Sequence, residues 1–116
     1  MYSARVRHLL QTLPNRGSCP EATHIGKAEN PICGDVIEFQ LEIRGGTIVD
    51  CCFQAYGCPG AVAAAAALTE IVEGKDQDAC RELSAAILLD VLGGLPRQKQ
   101  HGVDLAVAAL RDALAG

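Results

Sequence analysis

Tryptophan is absent from this sequence, methionine occurs once, and phenylalanine and tyrosine occur twice each. So few aromatic faces exclude a base-stacking nucleic-acid platform. An excess of basic charge is also lacking. Ten Lys and Arg stand against 14 Asp and Glu, for a net charge of −4. A phosphate-binding surface needs the opposite balance, so no nucleic-acid partner is expected. Long hydrophobic runs are missing too. The longest, Ala61 to Leu68, falls far short of the ~20 residues a membrane span requires. Met1 to Leu13 carries charges and no extended apolar stretch, so it does not read as a secretory leader.

What is present is ordinary globular material. The 116 residues are 49% hydrophobic and 21% charged, enough for one domain over 1–116 with its own core. Without a leader, the chain reads as cytoplasmic and free of membrane partners. Its six cysteines then point to metal or sulfur chemistry rather than a disulfide framework.

Hydrophobic periodicity lays out the elements. Val6, Leu9, Leu10 and Leu13 share one face of a helix over 2–13, which Pro14 stops. A first strand is expected over His24 to Glu29. Ile37, Phe39, Leu41 and Ile43 alternate with polar residues in a second strand. Gly45-Gly46 signals a two-residue hairpin, and a third strand returns over Thr47 to Tyr56. Strict alternation places Val49, Cys51, Phe53 and Ala55 on its core face. Pro59 opens an Ala-rich helix that Gly74 ends. Helices over 76–83 and 84–92 follow. A last helix runs from His101 to Leu114 with Val103, Val107, Leu110 and Leu114 as its buried stripe. The order implies an α+β fold, a three-stranded antiparallel β-sheet packed against several α-helices.

Potential metal ligands fall on three separate breaks. Cys33 and Asp35 lie in the turn before the second strand, Cys58 in the turn into the Ala-rich helix, and His101 at the start of the last helix. Pairing about the Gly45-Gly46 hairpin sets Asp35 opposite Tyr56, so Cys33 and Cys58 share one end of the sheet. Thiolate, imidazole and carboxylate together suit tetrahedral Zn²⁺, and they can also hold an iron–sulfur cluster. Asp35 could instead cap its turn. Cys58 with His101 could instead form a nucleophile and base, although no oxyanion-hole signal accompanies them. Cys51 reads as core, Cys80 as packed in a helix, Cys19 as an idle loop residue, and Cys52 as a thiol on the opposite, accessible face.

These residues carry a resemblance. Asn30-Pro31-Ile32-Cys33-Gly34-Asp35 resembles the N-P-x-C-G-D signature of U-type iron–sulfur cluster scaffolds, the IscU and NifU amino-terminal family. Tyr56-Gly57-Cys58-Pro59-Gly60-Ala61 is similar to its second cysteine motif. Leu92-Gly93-Gly94-Leu95-Pro96 and Lys99-Gln100-His101 are similar to its third, L-G-G-L-P-x-x-K-x-H-C. The resemblance implies a non-enzymatic scaffold or carrier that transiently binds a labile [2Fe–2S] cluster, or iron, and delivers it to client apo-proteins. It implies Cys33, Asp35, Cys58 and His101 as the metal ligands, with Lys99 near the site. It implies a cysteine desulfurase as sulfur donor and an electron donor such as a ferredoxin.

Two departures stand out. The family's third motif ends His-Cys, whereas His101 is followed by Gly102. The third cluster cysteine is missing, and in several members that cysteine accepts sulfur. Cys52 is the best substitute acceptor the sequence offers, although as a surface thiol it reads first as idle. A Cys at position 102 is expected to strengthen cluster retention, unless Gly102 is needed for a positive φ at the helix entry. In addition, Leu95-Pro96-Arg97-Gln98-Lys99 departs from the L-P-P-V-K segment that a DnaK-type chaperone recognises in Isc-type members. The alternative function is a zinc-binding sulfur-transfer protein or desulfurase regulator of the SufU type. Those members carry an insertion before the last motif and lack a His at the position of His101.

Overall fold

A computed structural model describes residues 2–115. Its elements are α1 (Ala4–Thr12), β1 (His24–Asn30), β2 (Asp35–Arg44), β3 (Thr47–Tyr56), α2 (Pro59–Val72), α3 (Gln77–Cys80), α4 (Ala85–Val91) and α5 (His101–Ala115). A 3-10 turn, Arg97–Lys99, precedes α5. The strands form one antiparallel sheet in the order β1-β2-β3. The expected α+β fold is therefore present. Among the described residues no helix is long and apolar enough to cross a membrane.

The sheet follows from alternation and one tight turn. Gly45 and Gly46 both take positive φ, 57° and 82°, which a two-residue hairpin requires. Ile37, Phe39 and Leu41 of β2 are buried with Cys51 and Phe53 of β3. Phe39 and Phe53 stand directly opposite each other, and neither is more than 1% exposed. Each such ring contributes roughly 1.5–3 kcal/mol by leaving water.

Strict alternation fails at one point. Glu42 pairs with Asp50 but Ile43 pairs with Ile48, so Val49 is an extra residue in β3. The bulge switches faces there: Ile48 is buried and Val49 is exposed. Val49 is thus not part of the core face, contrary to the simple pattern. The bulge also leaves the pairing one residue short of the expectation: Val36, not Asp35, faces Tyr56, and Asp35 faces Asn30 of β1.

The helices pack on the sheet face that carries Phe39 and Phe53. In α2 the five alanines Ala63 to Ala67 are all fully buried, as is Leu68. Small side chains let α2 lie against β3, α1, α4 and α5 at once. The predicted stripe of α5 is buried throughout. Gly26 of β1 sets how near α5 can come, since a Cβ there would lie 2.6 Å from Ala113 Cα. The helix expected over 76–83 shortens to Gln77–Cys80, capped by the Asp76 carboxylate.

The other face of the sheet is crossed by a strap, residues 13–23. It begins where Leu13 ends α1 in left-handed geometry. At the edge of β3, Asn15 O accepts from Phe53 N and Gly17 N donates to Phe53 O. The strap then passes over β2, where Cys19 N donates to Gln40 Oε1, and reaches β1 through Thr23 N bonded to Leu41 O.

Candidate metal centre

Three elements end at one place. Asp35 is the first residue of β2, Cys58 is the N-cap of α2, and His101 is the first residue of α5. Antiparallel pairing brings the start of β2 beside the end of β3, and the chain turns at Gly57 into α2. Packing of α5 on α2 supplies His101. Cys58 makes no side-chain capping bond, so its sulfur remains free to point at the other two.

The three donor atoms face one another. His101 Nε2 lies 3.1 Å from Asp35 Oδ2 and 3.9 Å from Cys58 Sγ, and Cys58 Sγ lies 4.0 Å from Asp35 Oδ2. Ligands around a tetrahedral Zn²⁺ at ~2.0–2.3 Å stand about 3.3–3.6 Å apart. The triangle brackets those edges, so the residues fit a metal. His101 Nδ1 is 3.2 Å from the Gln98 carbonyl, which orients the ring and leaves Nε2 toward the site. Asp35 is only 3% exposed, and its carboxylate faces His101 Nε2. A carboxylate that deeply placed needs a cationic or metal partner.

Gly57 seats the carboxylate. Its φ is 144°, and a Cβ there would fall within 2.6 Å of Asp35 Cγ. Sequence reasoning placed Gly57 in a turn and missed this second role. It also missed the Gln98 carbonyl, which leaves no side-chain signal. The Gly-Cys dipeptide was the clue available for Gly57.

Cys33 stands outside the triangle. It is exposed in the turn between β1 and β2, two residues before Asp35 and at the same end of the sheet. Asn30 Oδ1 organises that turn by accepting from Ile32 N and Cys33 N. Lys99 is half-buried in the 3-10 turn, and a Cβ on Gly60 would lie 3.1 Å from its carbonyl oxygen. That places Lys99 beside the first turn of α2, close to the site. Cys52 is not beside it. It pairs with Gln40 in mid-sheet, several residues from the Cys58 end, with its sulfur on the strap side. Cys19, expected as an idle loop thiol, is buried there with Cys52.

Gly102 is buried in α5 without a positive φ. A Cβ on it would lie 2.7 Å from both N and Cα of Ala61 in α2. This glycine serves close helix approach, not an unusual backbone angle. A cysteine at 102 therefore overlaps α2 unless the helices separate.

Comparison with known proteins identifies the family of the chain. The family described as NifU-like N terminal domain matches residues 1–116. The iron–sulfur cluster assembly scaffold protein IscU 1 of Archaeoglobus fulgidus is 35% identical over 114 residues, covering 98% of this chain and 74% of that protein. The nitrogen fixation protein NifU of Azotobacter chroococcum is 36% identical over 102 residues, covering 86% of this chain but 33% of that protein. In fold, the N-terminal part of a NifU-like protein from Brucella abortus superposes with a TM-score of 0.75 at 17% identity, over 97% of this chain and 91% of that one. Sequence and fold agree, and the chain belongs to the family of NifU-like N-terminal domains.

Proposed function

We propose that this chain is a non-enzymatic scaffold that assembles a labile [2Fe–2S] cluster as cargo and delivers it to apo-proteins. The observation that carries this reading is the convergence of Asp35, Cys58 and His101 from three different elements. Curated relatives named as cluster assembly scaffolds support it. Cys33 is the fourth donor, brought in from its exposed turn as cargo loads. Two irons then take two protein ligands each. Carboxylate and imidazole are weaker partners for iron–sulfur centres than thiolate, so the mixed set favours release over permanent holding. Sulfur comes from a cysteine desulfurase and electrons from a ferredoxin-type donor. Lys99 contributes positive charge beside the loaded, anionic site.

A cysteine-hydrolase reading is disfavoured by the histidine. In a nucleophile–base–carboxylate triad the thiol and the carboxylate address opposite ring nitrogens. Here both face Nε2, while Nδ1 faces a carbonyl. That is a ligand arrangement. The test is cluster transfer. Protein reconstituted anaerobically with iron and sulfide should lose its visible absorption as an apo-ferredoxin gains its own. Retention of the chromophore with no gain by the acceptor would overturn the carrier role. Uptake of zinc alone would favour the SufU-like alternative.

A further inference from the structure

A second group of sulfurs lies away from that site. Cys19 sits on the strap and Cys52 on β3, and their side chains meet on the helix-free face of the sheet. The Cys19 thiol donates to Cys52 Sγ at 2.7 Å. Asp50 completes the group, with its carboxylate and the two sulfurs all within 4.8 Å of one another. Both thiols are free, and Cys19 is 5% exposed while Cys52 is half-buried.

Spacing decides what such a group can do. Two thiolates bound to one Zn²⁺ at ~2.3 Å stand about 3.8 Å apart. At 2.7 Å these sulfurs are too close for that, and closer to the ~2.05 Å of a disulfide. We propose that Cys19 and Cys52 form a reversible dithiol–disulfide pair that clasps the strap to β3.

The chemistry follows from exposure. Cys52, the more accessible sulfur, attacks a low-molecular-weight disulfide such as oxidised glutathione. Its proton goes to solvent, the S–S bond of the reagent breaks, one reagent thiolate leaves, and a mixed disulfide remains on Cys52. Cys19 then attacks the Cys52 sulfur. Its proton passes to the second reagent sulfur, which departs as a thiol. Two protein thiols are oxidised and one small disulfide is reduced to two thiols. Burial, then the Cys52 thiol, then Asp50 push the Cys19 thiol well above its ordinary range. Cys19 is therefore the resolving sulfur and not the first to react.

The bond closes a loop from 19 to 52 that spans the second half of the strap, β1, β2 and the first six residues of β3. It also anchors the strand that leads into Gly57 and Cys58. None of the proposed cargo ligands takes part, so the pair stands or falls apart from the scaffold reading.

The experiment is oxidation of the reduced, metal-free chain with oxidised glutathione, followed by peptide mass mapping without reductant. The same is done with a Cys33→Ser/Cys58→Ser variant. The expected result in both is a Cys19–Cys52 link within one chain, reversed by dithiothreitol. The midpoint of thermal unfolding should rise on the order of 10 °C on oxidation. Cys52→Ser should show neither link nor rise, and it keeps the test sound if Cys19→Ser fails to fold. Three results would overturn the proposal: Cys19 and Cys52 still alkylatable after oxidation of the folded protein, a link from Cys52 to another chain or to Cys51, or zinc added alone protecting both thiols at one ion per chain.

Discussion

Asp35, Cys58 and His101 come from a strand start, a helix cap and a helix start. Cys19, Asp50 and Cys52 come from a strap and a single strand. The first group offers three kinds of donor, spaced 3.1–4.0 Å apart. The second brings two sulfurs to 2.7 Å. Element ends hold the first three donors at separations close to the edges of a tetrahedral metal site. The strap laid on the sheet brings its two sulfurs closer than two thiolates on one ion would stand. Under the two proposals, cysteine and aspartate serve with a histidine as ligands in one place and form a redox pair with a neighbouring carboxylate in the other.

The largest expected effect separates the two groups outright. Cys58→Ser removes the thiolate of the end group and should weaken iron or zinc binding on the order of 100-fold or more, read by competition with a chelator. Cys52→Ser should leave that affinity unchanged. Equal losses from both variants would erase the distinction.

Next comes the seat of the carboxylate. Gly57→Ala must hold φ near 144° and push Asp35 aside. The expected cost is about 2–3 kcal/mol in denaturant unfolding, together with weaker metal binding. Asp35→Ala in the same background should recover part of the stability, because it removes the group the new methyl strikes.

Gly102→Cys sharpens the comparison from another side. Its Cβ meets the Ala61 backbone, so the variant should lose about 1–3 kcal/mol. Gly102→Ala carries the same steric cost without a sulfur. Any gain in cluster retention of Cys over Ala at 102 therefore measures the ligand alone.

The smallest effect is a pH dependence. Burial, followed by the neighbouring Cys19 and Cys52 thiols, raises the Cys51 thiol far above its usual range. Below about pH 8.5 folded and unfolded chains both hold that proton, and stability is unaffected. Above it the unfolded chain releases the proton and the folded chain keeps it, so stability falls as pH rises. The slope is at most about 1.4 kcal/mol per pH unit for one thiol, and Cys51→Ala should reduce it by that thiol's share in urea titrations at pH 8 to 10, with the raised Cys19 and Cys80 thiols supplying the remainder.

The sequence carried much of this. Gly45-Gly46 between alternating runs is a local signal, so the hairpin and its register were readable to within one residue. The Ala run and the α5 stripe likewise announced buried helices. Val49 was misassigned because a bulge inserts a residue without a compositional mark, and alternation cannot see it. The motif turns identified Asp35, Cys58 and His101, yet their convergence depends on α5 packing on α2 through Gly102, a tertiary contact. Cys19 was unreadable for the same reason. Nothing in the Pro14–Pro20 loop says that it folds back over Gln40 and Cys52.

Anaerobic reconstitution of the chain beside its Cys33→Ser, Cys58→Ser and Cys52→Ser variants, with iron and acid-labile sulfide counted and the visible spectrum recorded, tests the central claim most directly. The account predicts about two irons and two sulfides per loaded chain for the parent and for Cys52→Ser. It predicts little or none for Cys33→Ser and Cys58→Ser. A colourless parent that takes up no iron, or a cluster that survives loss of Cys58, would contradict it.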